Sequence, residues 1–379
     1  MAYFNEHEDY HKAFAWIYKA ALQDHGEAQN MLGQMYQIGS GVSQDYHLAL
    51  QWYQKASLHE ISESQLCIGS LYFHGHGVTQ DYARAMTWFQ KADSNGNSAS
   101  GGDVGAYYSL GIVYYNGIGV QKDYKEAAEW MEKGASNGND DAQFSIGLMY
   151  YKGLGVSQDY SLAMEWYQKA ASSNNSNAQC NIAEMYDKGC GVPQDYALAM
   201  EWYKKAVSNG DTDSMFNIGV MYFDGAGVPQ DYEQSLEWYH KAAAKGNKLA
   251  QNNIGWAYHK GFGVPVDYKQ AMSWYIKAAE GTNPAPINNI GELYFNGLGV
   301  TKNIYAAMGL FIKAAKMDEK EAQYNLGKAY ETVEELKDLQ EAINWYQRAA
   351  DNDNEKAKEK VKLLNEQGYF AKEEQKGNC

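Results

Sequence analysis

Aromatic and small residues recur along this chain at a fixed interval, and that interval defines its elements. Trp16, Trp52 and Trp88 lie 36 residues apart, Trp130 follows after 42, and Trp166, Trp202, Trp238 and Trp274 resume the spacing of 36. Leu310 holds the next place and Trp345 follows 35 later, leaving Trp256 outside the column. A second column keeps step: Gly33, Gly69, Gly111, Gly147, Gly219, Gly255, Gly291 and Gly327, with Ala183 standing in once. Each member is followed three residues later by Tyr. Self-similarity at this period marks a repeat architecture.

Each unit contains two runs with helical spacing. The first is typified by Ala142, Ile146, Gly147 and Tyr150, the second by Ala163, Trp166, Tyr167, Ala170 and Ala171. Between them lies a Gly-x-Gly loop, from Gly39/Gly41 to Gly297/Gly299, whose glycines supply left-handed backbone at the end of a helix. An Asp-Tyr pair opens the second run at Asp45, Asp81, Asp123, Asp159, Asp195, Asp231 and Asp267. There a carboxylate caps free N–H groups and meets the positive end of the helix dipole. The Trp of the second run is expected to fill the gap between repeats.

The pattern predicts an all-α chain, an α-solenoid of helix-turn-helix repeats of about 36 residues. Residues 1–27 form a half repeat whose lone second helix covers 8–27, and 28–356 hold nine helix pairs. Residues 357–379 carry a Lys- and Glu-rich capping helix and a tail. A Ser/Asn/Gly-rich insertion within Asp93–Gly105 reads as a surface loop.

The unit Ala-x-x-x-[Leu/Ile]-Gly-x-x-Tyr-x-x-Gly-x-Gly-Val-x-x-Asp-Tyr-x-x-Ala-x-x-Trp-Tyr-x-Lys-Ala-Ala resembles the Sel-one-like repeat, a relative of the tetratricopeptide repeat, over about residues 8–356. The resemblance implies a right-handed superhelix with first helices on its concave face, and adaptor work in assembling complexes. The chain departs from the pattern where Asn303 replaces the Asp, Leu310 replaces the Trp, and Thr332–Glu335 lack the glycine loop.

Charge narrows the partners. With 32 Lys and Arg against 47 Asp and Glu, the net charge is −15. Such a chain gains nothing from counterion release on nucleic acid, and anionic membranes are disfavoured likewise. No apolar run of about 18 residues suggests a membrane span, and the acidic N-terminus lacks the apolar core of a secretory signal. Cys67, Cys180, Cys190 and Cys379 fall at unrelated repeat positions and read as free thiols in a reducing cytoplasm.

The chemical motifs are weak beside the repeat. His7-Glu8-Asp9-Tyr10-His11 spells H-E-x-x-H, which on a helix places two imidazoles and a carboxylate on one face. Yet Asp9-Tyr10 is the Asp-Tyr pair 36 residues before Asp45-Tyr46, and His11 matches His47. His74 and His76 sit in one loop whose other copies lack histidine. The Gly-x-Gly loops follow a helix and precede an Asp, the wrong setting for a phosphate. No catalytic residue, metal ligand or cofactor is assigned. A weak hydrolase, a metal-dependent enzyme and a regulatory subunit of a larger enzyme complex are the alternative classes.

Carrying over the tetratricopeptide pattern gives a groove on the first helices. Asn181, Asn217, Asn253, Asn289 and Asn325 occupy one column in five consecutive repeats. A carboxamide both donates and accepts, so such a ladder can hold an extended peptide's backbone without reading its sequence. Tyr108, Tyr115, Phe144, Tyr151, Phe216, Phe223 and Trp256, with Ile112, Leu148 and Val220 beside them, are candidate anchors for its side chains. The competing reading is that these side chains pack between neighbouring first helices. The expected function is a non-catalytic scaffold or adaptor for extended peptides or partner proteins.

Overall fold

The computed structural model describes the backbone of residues 2–94, 104–367 and 369, and the side chains of all of these but 2–9, 104 and 106. Among the described residues there are twenty α-helices, two short 3-10 turns and no strand. They fall into two compact units, Met1–Asp195 and Tyr196–Cys379.

The first unit holds α1 (Ala2–Ala21), α2 (Gly26–Ile38), α3 (Tyr46–Ala56), α4 (Ser62–His74), α5 (Tyr82–Ser94), α6 (Val104–Asn116), α7 (Tyr124–Ser136), α8 (Asp140–Lys152), α9 (Tyr160–Ser172) and α10 (Ser176–Lys188). The second holds α11 (Tyr196–Ser208), α12 (Thr212–Asp224), α13 (Tyr232–Ala244), α14 (Lys248–Lys260), α15 (Tyr268–Ala278), α16 (Ala285–Asn296), α17 (Ile304–Ala315), α18 (Lys320–Thr332), α19 (Leu339–Asp351) and α20 (Glu355–Glu366). Within each unit consecutive helices pack on one another, most extensively the two helices of one repeat. This is an α-solenoid of helix pairs. Helix α1 starts at Ala2 rather than near residue 8, so the whole H-E-x-x-H run lies inside it. Most of the Asp93–Gly105 insertion, and the tail beyond Tyr369, lie outside the described residues.

The Asp-Tyr pair caps as its chemistry requires. Asp45 Oδ1 accepts from the backbone N–H groups of His47 and Leu48, both at 2.9 Å, and Asp123, Asp159 and Asp267 repeat the double bond. The Asn303 substitution keeps the cap, its Oδ1 accepting from Ala306 N–H at 3.0 Å. In the repeat without glycines a 3-10 turn, Glu334–Leu336, closes the connection, and Asp338 still caps α19.

The two loop glycines differ in what they permit. Gly39 ends α2 with φ +76°, its N–H donating to Met35 O at 2.9 Å. Gly41 is also left-handed, but a Cβ there would come 2.6 Å from the Tyr10 carbonyl oxygen. Turn geometry, the reason read from the sequence, is therefore only half the account: the second glycine lets each loop rest on the start of the preceding repeat's second helix.

The core divides the work between neighbouring residues. Trp52, Trp166 and Trp274 each pack in an apolar cluster built from the preceding repeat's second helix and their own first helix, filling the inter-repeat gap as expected. The deepest side chain is the next one along. Tyr53, Tyr167 and Tyr275 have no exposed surface, and Tyr203 and Tyr346 have 1%. Trp238, Trp274 and Trp345 are only partly buried, and Trp16 is 72% exposed. Their outer faces carry cations one turn on: Lys169 Nζ lies 3.8 Å from the Trp166 ring centre, Lys277 4.2 Å from that of Trp274, and the Arg348 guanidinium 4.8 Å from that of Trp345.

Candidate binding face

The residues singled out as a groove all lie on first helices, and all are partly buried. In the second unit, Asn217, Asn253, Asn289 and Asn325 stand on α12, α14, α16 and α18. Three of them enter a polar seam between neighbouring first helices. Asn289 Nδ2 donates to Asn252 Oδ1 at 3.1 Å, and Asn325 Nδ2 donates to Asn288 Oδ1 at 2.9 Å and to Glu292 Oε1 at 3.0 Å. Asn252 Nδ2 lies 3.5 Å from Asn253 Oδ1. A carboxamide has two donor hydrogens and an oxygen with two lone pairs, so these bonds leave capacity over. Asn252 and Asn288 were not picked out from the sequence, although the doublets Asn252-Asn253 and Asn288-Asn289 were visible there.

The aromatic residues of this unit form two groups. The Phe216 ring packs on the buried Tyr239 ring, with centres 5.6 Å apart. Phe223 and Trp256 join Tyr232 and Phe262 in a four-ring cluster: Phe223 lies 5.0 Å from Tyr232 and 5.4 Å from Trp256, and Trp256 lies 4.8 Å from Phe262. Phe262 occupies the variable place of a Gly-x-Gly loop and Tyr232 belongs to an Asp-Tyr pair, columns the sequence reading had already explained by turn and cap. Near the end of the unit a cleft of about 370 Å³ opens on Phe295, Tyr324 and Asn325, with Lys260, Lys328 and Lys356 facing Glu292 and Glu321.

In the first unit, α6 carries Tyr108 and Tyr115, α8 carries Phe144 and Tyr151, and α10 carries Asn181. Tyr115 packs on Tyr124 and Tyr151 on Tyr160, both at 5.2 Å, while Phe144 reaches Tyr167 at 6.0 Å. One side of each ring is thus spent on its own repeat. Burial pushes the Tyr108 and Tyr151 phenols above their usual range, so both remain protonated donors. Leu148, Tyr151 and Asn181 border a cleft of about 220 Å³ with Lys152, Tyr167 and Glu184.

Elsewhere the chemical motifs acquire surroundings. The His76 ring stacks on Tyr46 at 4.8 Å and on His74 at 5.4 Å. His11 is exposed, whereas the His7 and Glu8 side chains lie outside the described residues. Among the described residues no three His, Cys, Asp or Glu side chains gather as a metal site, and no helix is long and apolar enough to cross a membrane. Among the described residues Cys67, Cys180 and Cys190 form no disulfide, and Cys379 lies outside the described residues.

Stacked helix pairs place the chain among the α-solenoid repeat proteins. Within that class, the Sel1 repeat model matches residues 6–25, 26–59, 62–97, 104–139, 140–175, 176–211, 212–247, 248–283, 287–319 and 320–354. The chain belongs to the Sel1 repeat family, whose repeats generally mediate protein–protein interaction on a typically non-catalytic scaffold. It is similar to a protective antigen present in uropathogenic Escherichia coli strains that displays an SLR fold, with 32% identity and a TM-score of 0.74 over 94% of this chain and 75% of that one. It is also similar to a Sel1 repeat protein from Oxalobacter formigenes, with 32% identity and a TM-score of 0.58 over 74% of this chain and 80% of that one. No curated protein matches the chain.

Proposed function

We propose that this chain is a non-catalytic scaffold whose first-helix face holds extended peptide segments or partner proteins. One observation carries the reading: a carboxamide column and an aromatic column run side by side on the first helices, partly buried, with hydrogen-bonding capacity and ring surface left over. In the second unit Asn217, Asn253 and Asn289 grip peptide backbone, and Phe216, Phe223 and Trp256 receive side chains, aided by Phe262 and Tyr232. Asn325 extends the column beside the cleft with the three lysines. In the first unit Asn181 has the backbone role and Tyr108, Tyr115, Phe144 and Tyr151 the anchoring role. That Cys67, Cys180 and Cys190 are not joined in disulfides supports a reducing, cytoplasmic setting.

A segment selected from a peptide display library against the purified chain tests the reading. Trp256→Ala should weaken that segment's binding, whereas Trp274→Ala, on a second helix, should leave it intact. Equal losses for both would place the binding face elsewhere.

A further inference from the structure

Three of the buried tyrosines follow a rule; Tyr239, whose opposing place holds Phe223, and Tyr167 do not. The Tyr53 hydroxyl donates to Gln37 Oε1 at 2.7 Å, the Tyr346 hydroxyl donates to Glu331 Oε2 at 2.7 Å, and the Tyr275 hydroxyl lies 3.3 Å from His259 Nδ1. Each partner stands four residues after the helical glycine of the same repeat. Where Phe89 or Phe311 replaces the tyrosine, that place holds Phe73 or Phe295, and no hydroxyl needs serving. Opposite Tyr167 the place is Tyr151, whose own hydroxyl donates to Cys190 Sγ at 3.8 Å. Tyr167 has no exposed surface and its hydroxyl is buried without a hydrogen-bond partner. Asn181 stands beside it and offsets part of the rise that burial gives the Tyr167 phenol, but the pair does not reach full hydrogen-bond geometry. A buried hydroxyl left unpaired is costly, and native structures rarely keep one without a reason.

The reason lies in the cleft that Tyr167 lines. At about 220 Å³ it exceeds the roughly 30 Å³ share of a single water several-fold. Leu148 and the Tyr151 ring give it apolar wall for methylene groups. Tyr167 and Lys152 bring donors, Glu184 brings an acceptor, and Asn181 brings both. Glu184 is tied through Oε2 to Lys188 at 2.6 Å, which leaves its second oxygen for a ligand. A carboxylate would meet the charge of Glu184 and an ammonium that of Lys152. A neutral group with both an acceptor and donors meets neither repulsion and sheds its water at less cost.

We propose that this cleft receives the primary carboxamide of an Asn or Gln side chain, its oxygen accepting from the Tyr167 hydroxyl and its NH₂ donating to Glu184. The proposal rests on the peptide-binding reading above and gives it a side-chain preference at Asn181.

The probe is N-acetyl-glutamine N-methylamide, compared with its glutamate and leucine counterparts on the full chain by saturation-transfer NMR. The glutamine compound should bind and the other two should be several-fold weaker. Tyr167→Phe should weaken the glutamine compound about three- to tenfold, the worth of one hydrogen bond. Its melting temperature should equal or slightly exceed that of wild type, since the lost hydroxyl closed no bond of full geometry. Glu184→Gln should narrow the gap between the glutamine and glutamate compounds. Equal binding of all three, binding of none, or an unchanged affinity in Tyr167→Phe would overturn the proposal and leave the cleft holding water only. A library-selected segment that binds wild type and Tyr167→Phe alike sinks this subsite while leaving the binding face in place; a segment lost in Trp256→Ala and Trp274→Ala alike does the reverse.

Discussion

The Tyr53 ring lies so close to the backbone of Gly33 that a Cβ built there would sit 2.6 Å from two of its ring carbons. The same fit recurs between Gly255 and Tyr275 at 2.7 Å, and between Gly291 and Phe311 at 2.6 Å. In seven repeats the helical glycine is the slot into which the second helix inserts its deepest ring; Gly111 instead faces Met131, and Ala183 takes the glycine's place once.

Filling the slot should therefore be costly. Gly255→Ala is expected to destabilise the chain by about 1–3 kcal/mol, because the ring must move off its packed position. Gly309, exposed inside α17 with nothing within 4 Å of a new Cβ, is the control. There alanine should stabilise by about 0.5–1 kcal/mol through helix propensity alone. Urea unfolding of both variants decides the point, and similar shifts for the two would remove the slot from the account.

Burial ranks Tyr275 above its neighbour Trp274. Tyr275→Ala should cost about 3–5 kcal/mol, the usual loss for a large fully buried ring. Trp274→Ala should cost about 2 kcal/mol, because the indole is partly exposed and its outer face gains only a cation contact from Lys277. Chemical denaturation that reversed this order would contradict the assignment of the deep wedge to the residue after Trp.

The hydroxyls of the wedge tyrosines should separate by partner. Tyr53→Phe removes a 2.7 Å bond to Gln37 and is expected to cost about 1 kcal/mol. Tyr167→Phe removes a hydroxyl with no partner and should be neutral or slightly stabilising. Thermal melts of the pair, read side by side, test this.

Burial, helped by the nearby Lys260 charge and opposed by Glu292, pushes the His259 pKa below its usual 6.5. Between the lowered value and about 6.5 the unfolded chain binds more protons than the folded one. Stability is therefore full above that window and is lost as the pH falls through it. His259→Gln should give a shallower fall in the urea midpoint between about pH 7.5 and 5. The slope should not vanish, because burial also lowers the pKa of His240. An unchanged slope would mean that His259 takes up its proton freely in the folded chain.

The repeat, its helix pairs and its caps were legible because each rests on a local, spaced signal. Asp45 precedes a helical run and caps it; Gly39 follows one and ends it. Gly33 was legible as a column, but its purpose was not, since the ring that demands it sits on the partner helix 20 residues on. The Trp column drew the eye by its size, yet the smaller Tyr beside it goes deeper, because helix rotation rather than residue volume selects the inward position. For the binding face, the sequence placed Asn289 and Trp256 on first helices but could not foretell the bond to Asn252 or the ring of Phe262. Both depend on contacts between helices, and periodicity within one helix does not report them.

The central claim is that the Asn column grips a peptide's backbone, and calorimetry on the Asn217→Ala, Asn253→Ala, Asn289→Ala triple variant tests it most directly. Alanine favours the helix, and the polar groups uncovered at Asn252 are partly exposed to water, so the variant should melt close to wild type. With each lost amide contact worth about 0.5–1.5 kcal/mol, binding of library-selected segments should weaken about tenfold or more, by a similar factor for segments of different sequence. Wild-type affinity in a folded triple variant would contradict the account and make the Asn seam a purely structural device.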